Sequence, residues 1–223
     1  MHRAVVFDMD GVLIDSEPVF RVSAQHASSV LGHTITDEFY AELIGLPNAE
    51  IAAALVARFG PDFSLTEFQS AFQQNFRRHV AAQGLPQKPG AREILVELRG
   101  HAIPRAVATS TRSPHAQYSL RVAGLIDFLP IVVTGDQVAQ GKPAPDIFVR
   151  AADLLGTAPA ACIAVEDSAV GARAAVAAGM FTILVPDLKQ PDEGLASLVD
   201  AVVPDLPAAA AMIRRLLALP PIP

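Results

Sequence analysis

The amino-acid sequence predicts an α/β fold, a doubly wound parallel sheet interrupted by an inserted all-helical segment. Short, continuous apolar segments alternate with longer amphipathic ones over most of the 223 residues. This alternation is typical of parallel strands that are covered by helices on both faces. Between Glu17 and about Gln83 the alternation stops, and only helical patterns remain. We therefore expect an α/β core of residues 1–16 and 84–223, with a helical cap of residues 17–83 inserted after the first strand.

Five strands are predicted, each a short run of apolar residues. The first is Ala4–Phe7, which is rich in Val and is followed at once by charged residues. Each later strand follows a predicted helix, and a glycine just after the helix is a typical stop signal in the last three cases. The helix–strand pairs are Ala91–Arg99 with Ala106–Ala108, Pro114–Ala123 with Ile131–Val133, Pro145–Leu155 with Cys162–Val165, and Val170–Ala178 with Thr182–Val185.

The residue pattern of the inserted segment predicts four helices, which are separated by breaks that contain glycine and proline. The breaks are Gly32, Gly45 to Pro47, and Gly60 with Pro61. The predicted helices are Pro18–Leu31, Asp37–Ile44, Asn48–Phe59 and Leu65–Ala82.

Composition and charge argue against several classes of protein. The formal net charge is −6, and no basic cluster is longer than Arg77-Arg78 or Arg214-Arg215, which disfavours nucleic-acid binding. No apolar run reaches the length of a membrane span, and Asp8 interrupts the first apolar stretch too early for a secretory signal. The single cysteine, Cys162, excludes an internal disulfide. We expect a cytoplasmic protein that does not bind membranes and is a monomer or a weak homodimer.

Polar side chains follow four of the predicted strands, at the edge where open α/β sheets bind their ligands. They comprise carboxylates, hydroxyls and one lysine. In chain order they are Asp8 and Asp10, then Thr109, Ser110 and Thr111, then Lys142, and finally Glu166, Asp167 and Ser168.

Asp8 and Asp10 suggest a cation site. In an extended chain, residues i and i+2 share a face and lie about 6–7 Å apart. Two carboxylates so placed repel each other, and Glu166 and Asp167 add to the repulsion, so a hard divalent cation such as Mg²⁺ would be favoured. The alternative is a pair of solvated aspartates at a strand end. A calcium loop is disfavoured because Val12–Ile14 is apolar where further ligands would lie.

Lys142 and the hydroxyls suggest a phosphate site beside that cation. The chain has three lysines and fourteen arginines, so a lysine in the segment Gly141–Asp146 stands out. It could offset the charge of a bound phosphate, and Thr109 and Ser110 could donate hydrogen bonds to it. Alternatively, Lys142 is an ordinary surface lysine, and Thr109 and Ser110 are helix N-caps. For Ser168, which has the same two possible roles as these hydroxyls, we prefer the N-cap.

Four segments resemble, in order, the motifs of the haloacid dehalogenase (HAD) superfamily. Asp8 to Glu17 is similar to the first motif, and Thr109 or Ser110 to the second. Lys142 in Gly-Lys-Pro-Ala-Pro-Asp resembles the third, and the pair Glu166-Asp167 resembles the fourth. The resemblance extends from Ala4 to about Val185, with a helical cap where the C1 cap class of the family places it. It implies a HAD-like Rossmannoid core.

The resemblance also implies roles for these residues. Asp8 would be the nucleophile that becomes an aspartyl phosphate, and Asp10 would be the general acid and base. The Asp8 side chain, the Asp10 backbone carbonyl and Asp167 would hold Mg²⁺, with Glu166 directly on the metal or just behind these ligands. Thr109, Lys142 and Ser110 would bind phosphoryl oxygens.

Within the family, the sequence is most similar to the phosphatase and β-phosphoglucomutase-like branch. This similarity implies hydrolysis of a small phosphorylated metabolite, such as a sugar phosphate or phosphoglycolate. A mutase is the alternative, but Phe20 and Asn48 stand where mutases carry histidine and arginine. We expect Phe20, Arg21, Gly45 and Asn48 to face the substrate, although each could equally be helix surface or cap interior.

Two other activities are disfavoured. The dehalogenase branch of the family has no use for a second acid at the position of Asp10. A phospho-receiver-like signalling module also combines an acidic pair, a Thr or Ser and a Lys on a parallel sheet. A receiver, however, carries its phosphorylated Asp after a later strand and has no helical insertion, whereas Asp8 ends the first predicted strand.

Overall fold

A computed structural model describes residues 2–46 and 48–220, which form two compact units. The first, here called the core unit, contains the chain up to Asp15 and from Pro86 onward. The second, the helical unit, is Ser16–Leu85. In the described residues, no helix is both long and apolar enough to cross a bilayer.

The core unit is built on a parallel sheet, which confirms the predicted fold class. The strands described in it have the spatial order β3-β2-β1-β4-β5-β6. This is the order of a doubly wound nucleotide-binding fold and differs from the 2-1-3-4-5 order of receiver proteins. The strands are β1 Ala4–Phe7, β2 Arg105–Thr109, β3 Ile131–Thr134, β4 Cys162–Glu166, β5 Phe181–Leu184 and β6 Ala201–Val202.

The helical unit contains four helices, each close to its predicted position. Thr36 and Ser64 cap the second and fourth of them, since their side chains accept hydrogen bonds from the N–H groups of Phe39 and Glu67. Three phenylalanine rings, of Phe20, Phe72 and Phe76, pack together between the first and the fourth. The helices are α1 Glu17–Val30, α2 Asp37–Leu43, α3 Asn48–Phe59 and α4 Leu65–Gln83.

Six α-helices are described in the core unit. Every residue of β1, β2 and β4 is buried, so both faces of the central strands are covered. On one face Ala4 and Val6 of β1 pack in a cluster with Ile147 and Phe148. The helices are α5 Ala91–Gly100, α6 His115–Val122, α7 Asp146–Leu154, α8 Ala169–Ala177, α9 Glu193–Leu198 and α10 Leu206–Leu217.

Strand register brings the carboxyl ends of β1, β2 and β4 to one edge of the sheet. Phe7 pairs with Val107 of β2 and with Val165 of β4. The N–H of Asp8 then donates to the carbonyl of Val165 at 2.9 Å. Asp8 therefore leaves the sheet between the ends of its two neighbouring strands, one of which ends at Thr109 and the other at Glu166.

Candidate active site

Lys142 joins two carboxylates that come from different strands. Its ammonium donates to Asp8 and, at 2.5 Å, to Oε1 of Glu166. The Lys142, Asp8 and Glu166 side chains are 5%, 9% and 0% exposed. Lys142 is 134 positions from Asp8 and 24 positions from Glu166 in the sequence, yet the three side chains form one buried ionic cluster. Such a cluster is stable only when each charge is paired and hydrogen-bonded.

Glu166 has protein donors on both of its carboxylate oxygens. Oε1 accepts from Lys142, as described, and Oε2 accepts from the N–H of Asp167 at 2.9 Å. Oε2 also accepts from the N–H of Ser168 at 3.0 Å and from its hydroxyl at 2.9 Å. The same hydroxyl accepts from the N–H of Gly171 at 3.1 Å, so Ser168 is the N-cap of α8, as preferred from the sequence. These bonds hold Glu166 in one orientation, toward Lys142.

Two glycines allow the acidic side chains to approach the backbone closely. A Cβ at Gly171, in the first turn of α8, would overlap the carboxylate of Glu166. A Cβ at Gly11 would overlap the carboxylate of Asp167, and Gly11 has φ of +83°, which side chains other than glycine rarely adopt. The Glu166 and Asp167 carboxylates can therefore lie where they do only because positions 171 and 11 are glycines.

Thr111 contacts Asp10 and was missed as a site residue in the sequence. Its hydroxyl donates to Oδ2 of Asp10 at 2.8 Å, and its N–H donates to Oγ1 of Thr109 at 3.1 Å. A third hydroxyl two positions after Thr109 was the available signal, because such spacing returns a side chain to the same side of an extended chain. Thr109 is buried, whereas Ser110 is exposed.

The charges at this edge are predominantly negative. Burial raises the pKa of Asp8 to about 8, an effect that the charge of Lys142 opposes and those of Glu166 and Asp10 increase. Burial, followed by the charges of Glu166 and Asp8, raises the pKa of Asp167 well above its ordinary value. Burial alone would lower the pKa of Lys142, but the two carboxylates that it contacts raise it above its ordinary range.

This donor set fits a hard divalent cation. Burial raises the pKa of both Asp8 and Asp167, the charge of Asp8 contributes to raising the pKa of Asp167, and carboxylate oxygen is the ligand that Mg²⁺ prefers. In the described part of the chain, no three His, Cys, Asp or Glu side chains are already arranged around one point. A cation here would therefore need backbone oxygen or water in addition to these two carboxylates.

The candidates in the helical unit have varied surroundings. The Phe20 ring centroid is 5.4 Å from that of Phe76 and 6.0 Å from that of Phe72. Gly45 follows α2, is exposed and has φ of +77°. Asn48 begins α3, but its side chain, like the whole of Pro47, lies outside the described residues.

Comparison with known proteins identifies a family and several similar phosphatases. A family model described as haloacid dehalogenase-like hydrolase matches residues 5–185. The chain is 33% identical over 181 residues to a phosphorylated carbohydrates phosphatase of Thermotoga maritima, covering 81% of this chain and 83% of that protein. It is 30% identical over 221 residues to hexitol phosphatase A of Escherichia coli, and this match covers 95% of this chain and 99% of that protein.

A solved structure is similar over nearly the full length. It is that of a putative β-phosphoglucomutase from Thermotoga maritima, with a TM-score of 0.80 and 29% identity, and the match covers 96% of this chain and 99% of that chain.

Substituting Gly171 tests the close approach of α8 to Glu166. Alanine normally stabilises a helix by about 0.5–1 kcal/mol relative to glycine. We expect Gly171→Ala instead to lower the free energy of unfolding by about 1–3 kcal/mol, because its Cβ would displace the Glu166 carboxylate. Urea denaturation measures the change. The control is Gly100→Ala at the end of α5, where a Cβ meets open space and no loss is expected. Equal effects of the two substitutions would contradict this account.

Proposed function

We propose that this chain, which belongs to the haloacid dehalogenase-like hydrolases, is a Mg²⁺-dependent phosphatase. Its substrate would be a small phosphorylated metabolite of the sugar-phosphate or phosphoglycolate type. The observation that carries the proposal is the buried cluster of Asp8, Lys142 and Glu166 at the carboxyl edge of the sheet. Two relatives described above support the substrate class, because one is named a phosphorylated carbohydrates phosphatase and the other hexitol phosphatase A.

Asp8 would carry the covalent step. One of its carboxylate oxygens attacks phosphorus, the bond from phosphorus to the substrate oxygen breaks, and Asp10 gives that oxygen a proton. Asp10 then takes a proton from a water molecule as that water attacks the phosphorus of the aspartyl phosphate, and the bond between phosphorus and the Asp8 oxygen breaks. Inorganic phosphate leaves, and both aspartates return to their starting states. Dividing the hydrolysis into two displacements replaces one difficult step by two easier ones.

The surrounding residues would bind and orient the phosphoryl group. Lys142 holds Asp8 in place and is close enough to contact a phosphoryl oxygen on it. Thr109 accepts a hydrogen bond from the N–H of Thr111, so its own hydroxyl hydrogen can be donated to the phosphoryl group. Glu166 would act through Lys142, because its oxygens already accept hydrogen bonds from protein donors.

The cation would be held by the carboxylates of Asp8 and Asp167 and by the backbone carbonyl of Asp10. When bound, Mg²⁺ supplies positive charge that offsets the repulsion between the substrate phosphate and these carboxylates. That repulsion is about 4 kcal/mol for each pair of unit charges 4 Å apart at an effective dielectric constant of 20. Lys142 alone cannot offset it, because its charge is already shared by two carboxylates.

A phosphomutase is the second candidate, favoured by the similarity to a putative β-phosphoglucomutase. The aromatic contacts of Phe20 weigh against it. Phe20 stands where the family resemblance places a mutase histidine, and its ring packs on Phe72 and Phe76, so this side chain supplies no titratable group to activate a sugar hydroxyl. Water is then the expected acceptor of the phosphoryl group.

Removing the nucleophile should abolish phosphate release. We expect Asp8→Asn to lower kcat for p-nitrophenyl phosphate by at least about a thousandfold, since an amide cannot form the phosphoenzyme. EDTA should suppress the native enzyme equally, and added Mg²⁺ should restore it. Asp127→Asn, at an exposed position of the core unit, is the matched control and should keep native turnover. Mg²⁺-independent turnover, or activity in Asp8→Asn, would refute the mechanism.

Thr111 should affect the rate through Asp10. Thr111→Val removes the hydroxyl that holds Oδ2 of Asp10, and we expect kcat to fall about tenfold to a hundredfold with little change in KM. Thr111→Ser keeps the hydroxyl and should recover most of the rate. Steady-state kinetics on one phosphomonoester measures both variants. If the serine variant is as slow as the valine variant, the hydrogen bond to Asp10 does not explain the effect.

The acceptor of the phosphoryl group can be identified directly. With β-glucose 1-phosphate and a catalytic amount of glucose 1,6-bisphosphate, we expect free phosphate to form faster than glucose 6-phosphate. Coupled assays for the two products, run on the same sample, give the ratio. Faster formation of glucose 6-phosphate would identify the chain as a mutase.

A further inference from the structure

Lys88 is a second lysine with a largely buried carboxylate partner, and it lies outside the machinery proposed above. Its ammonium donates to Oδ1 of Asp187 at 2.7 Å. The two side chains are only 22% and 14% exposed. The partners are 99 positions apart in the sequence, so the pair forms only when the core unit folds.

The backbone of Lys88 is fixed at both of its polar groups. Its N–H donates to the carbonyl of Leu13 at 3.0 Å, and its carbonyl accepts from the N–H of Ala91 at 3.0 Å. Lys88 is thereby tied to the loop that follows Asp8 and Asp10 and to the start of α5. These two backbone hydrogen bonds fix the segment from which the Lys88 side chain reaches Asp187.

Asp187 lies in the loop that leaves β5, beside the strand end that carries Glu166 and Asp167. The N–H of Val185 donates to the carbonyl of Glu166 at 2.7 Å, so the residue that follows β5 still pairs with the last residue of β4. Asp187 follows two residues later. Its negative charge, after burial and the charges of the site carboxylates, contributes to raising the pKa of Asp167.

We propose that Lys88 and Asp187 are positioning residues that set the electrostatic potential at Asp167 and, through it, the affinity of the site for its divalent cation. This inference rests on the proposed function. Lys142 is shared by Asp8 and Glu166, and Lys88 pairs with Asp187. The two ammonium groups do not balance the four carboxylates of Asp8, Glu166, Asp167 and Asp187. In the described residues neither lysine forms an ion pair with Asp167, so the charge of Asp167 adds to the negative potential that a cation would meet.

The two partners act in opposite directions if their role is electrostatic. Lys88→Met leaves the charge of Asp187 unpaired near Asp167, so Mg²⁺ should bind about threefold to tenfold more tightly. Asp187→Asn leaves the ammonium of Lys88 unpaired, so Mg²⁺ should bind more weakly by a similar factor, about threefold to tenfold. The double variant removes both charges and should return to within about twofold of the native Kd.

The experiment is a titration of the full chain with MgCl₂ by isothermal calorimetry, without substrate. Circular dichroism in EDTA checks that each variant is folded. Lys88→Arg keeps the charge and should keep the native Kd. Lys189→Met is the matched control, because it removes the same charge from an exposed lysine two residues from Asp187 and should change the Kd less than Lys88→Met does.

The outcomes separate this inference from the proposed function. If the native chain does not bind Mg²⁺, both are overturned. If it binds Mg²⁺ but Lys88→Met and Asp187→Asn shift the Kd in the same direction, or leave it unchanged, only the charge-setting role is overturned. Should Lys88→Met fail to fold, Asp187→Asn decides alone, and unchanged or tighter binding by that variant rejects the role.

Discussion

The arrangement at the carboxyl edge of the sheet depends on one ammonium group placed between two buried carboxylates. Without Lys142, Asp8 and Glu166 would be like charges in an interior that solvates neither, and such an arrangement strongly favours protonation or unfolding. With it, ionisation of Asp8 costs less free energy, because the ammonium charge opposes the effect of burial, although the pKa of Asp8 is still raised to about 8. In the mechanism proposed above, the charge of a bound cation would further favour the ionised carboxylate that acts as the nucleophile. The ion pair is therefore a condition of both stability and chemistry.

The rest of the core unit keeps that ammonium in place. Glu166 sits at the end of a strand that is buried along its whole length, and its second oxygen accepts from the N–H groups of Asp167 and Ser168, just before α8. Gly171 lets the first turn of α8 approach without a collision. Ser168 contributes twice, because its hydroxyl donates to Glu166 and caps the helix. The orientation of Lys142 is thus set by contacts that never touch a substrate.

Periodicity and motif order predicted most of the fold from the sequence. The strands β1 to β5 are mostly apolar, and such short runs between amphipathic helices are typical of a parallel sheet that is covered on both faces. β6 was missed because Ala201–Val202 is too short to give a pattern, and its place in the sheet comes from pairing with β5. The short helix α9 was missed for the same reason.

The candidate site shows a different limit of sequence reasoning. Asp8, Lys142 and Glu166 could be named from strand ends and a family resemblance, and their roles remain predictions. The role of Thr111 was missed although its spacing from Thr109 was a signal, because its contact with Asp10 joins segments about 100 residues apart. The pair of Lys88 with Asp187 joins segments equally far apart, and nothing in the local sequence distinguishes these two residues from surface lysine and aspartate.

The chain itself shows why a lysine, and not one of the fourteen arginines, occupies the centre of this site. Arg214 of α10 meets the buried Glu97 of α5 through two nitrogens, with bonds of 2.7 to 2.9 Å to both carboxylate oxygens. A planar fork of this kind matches one carboxylate and fixes two helices together. Lys142 has a compact charge with three donors, of which Asp8 and Glu166 each receive one. In the proposed mechanism the third donor would be left for the phosphoryl group that moves from substrate to Asp8, whereas an arginine paired through its fork with one carboxylate would have no such donor on that face.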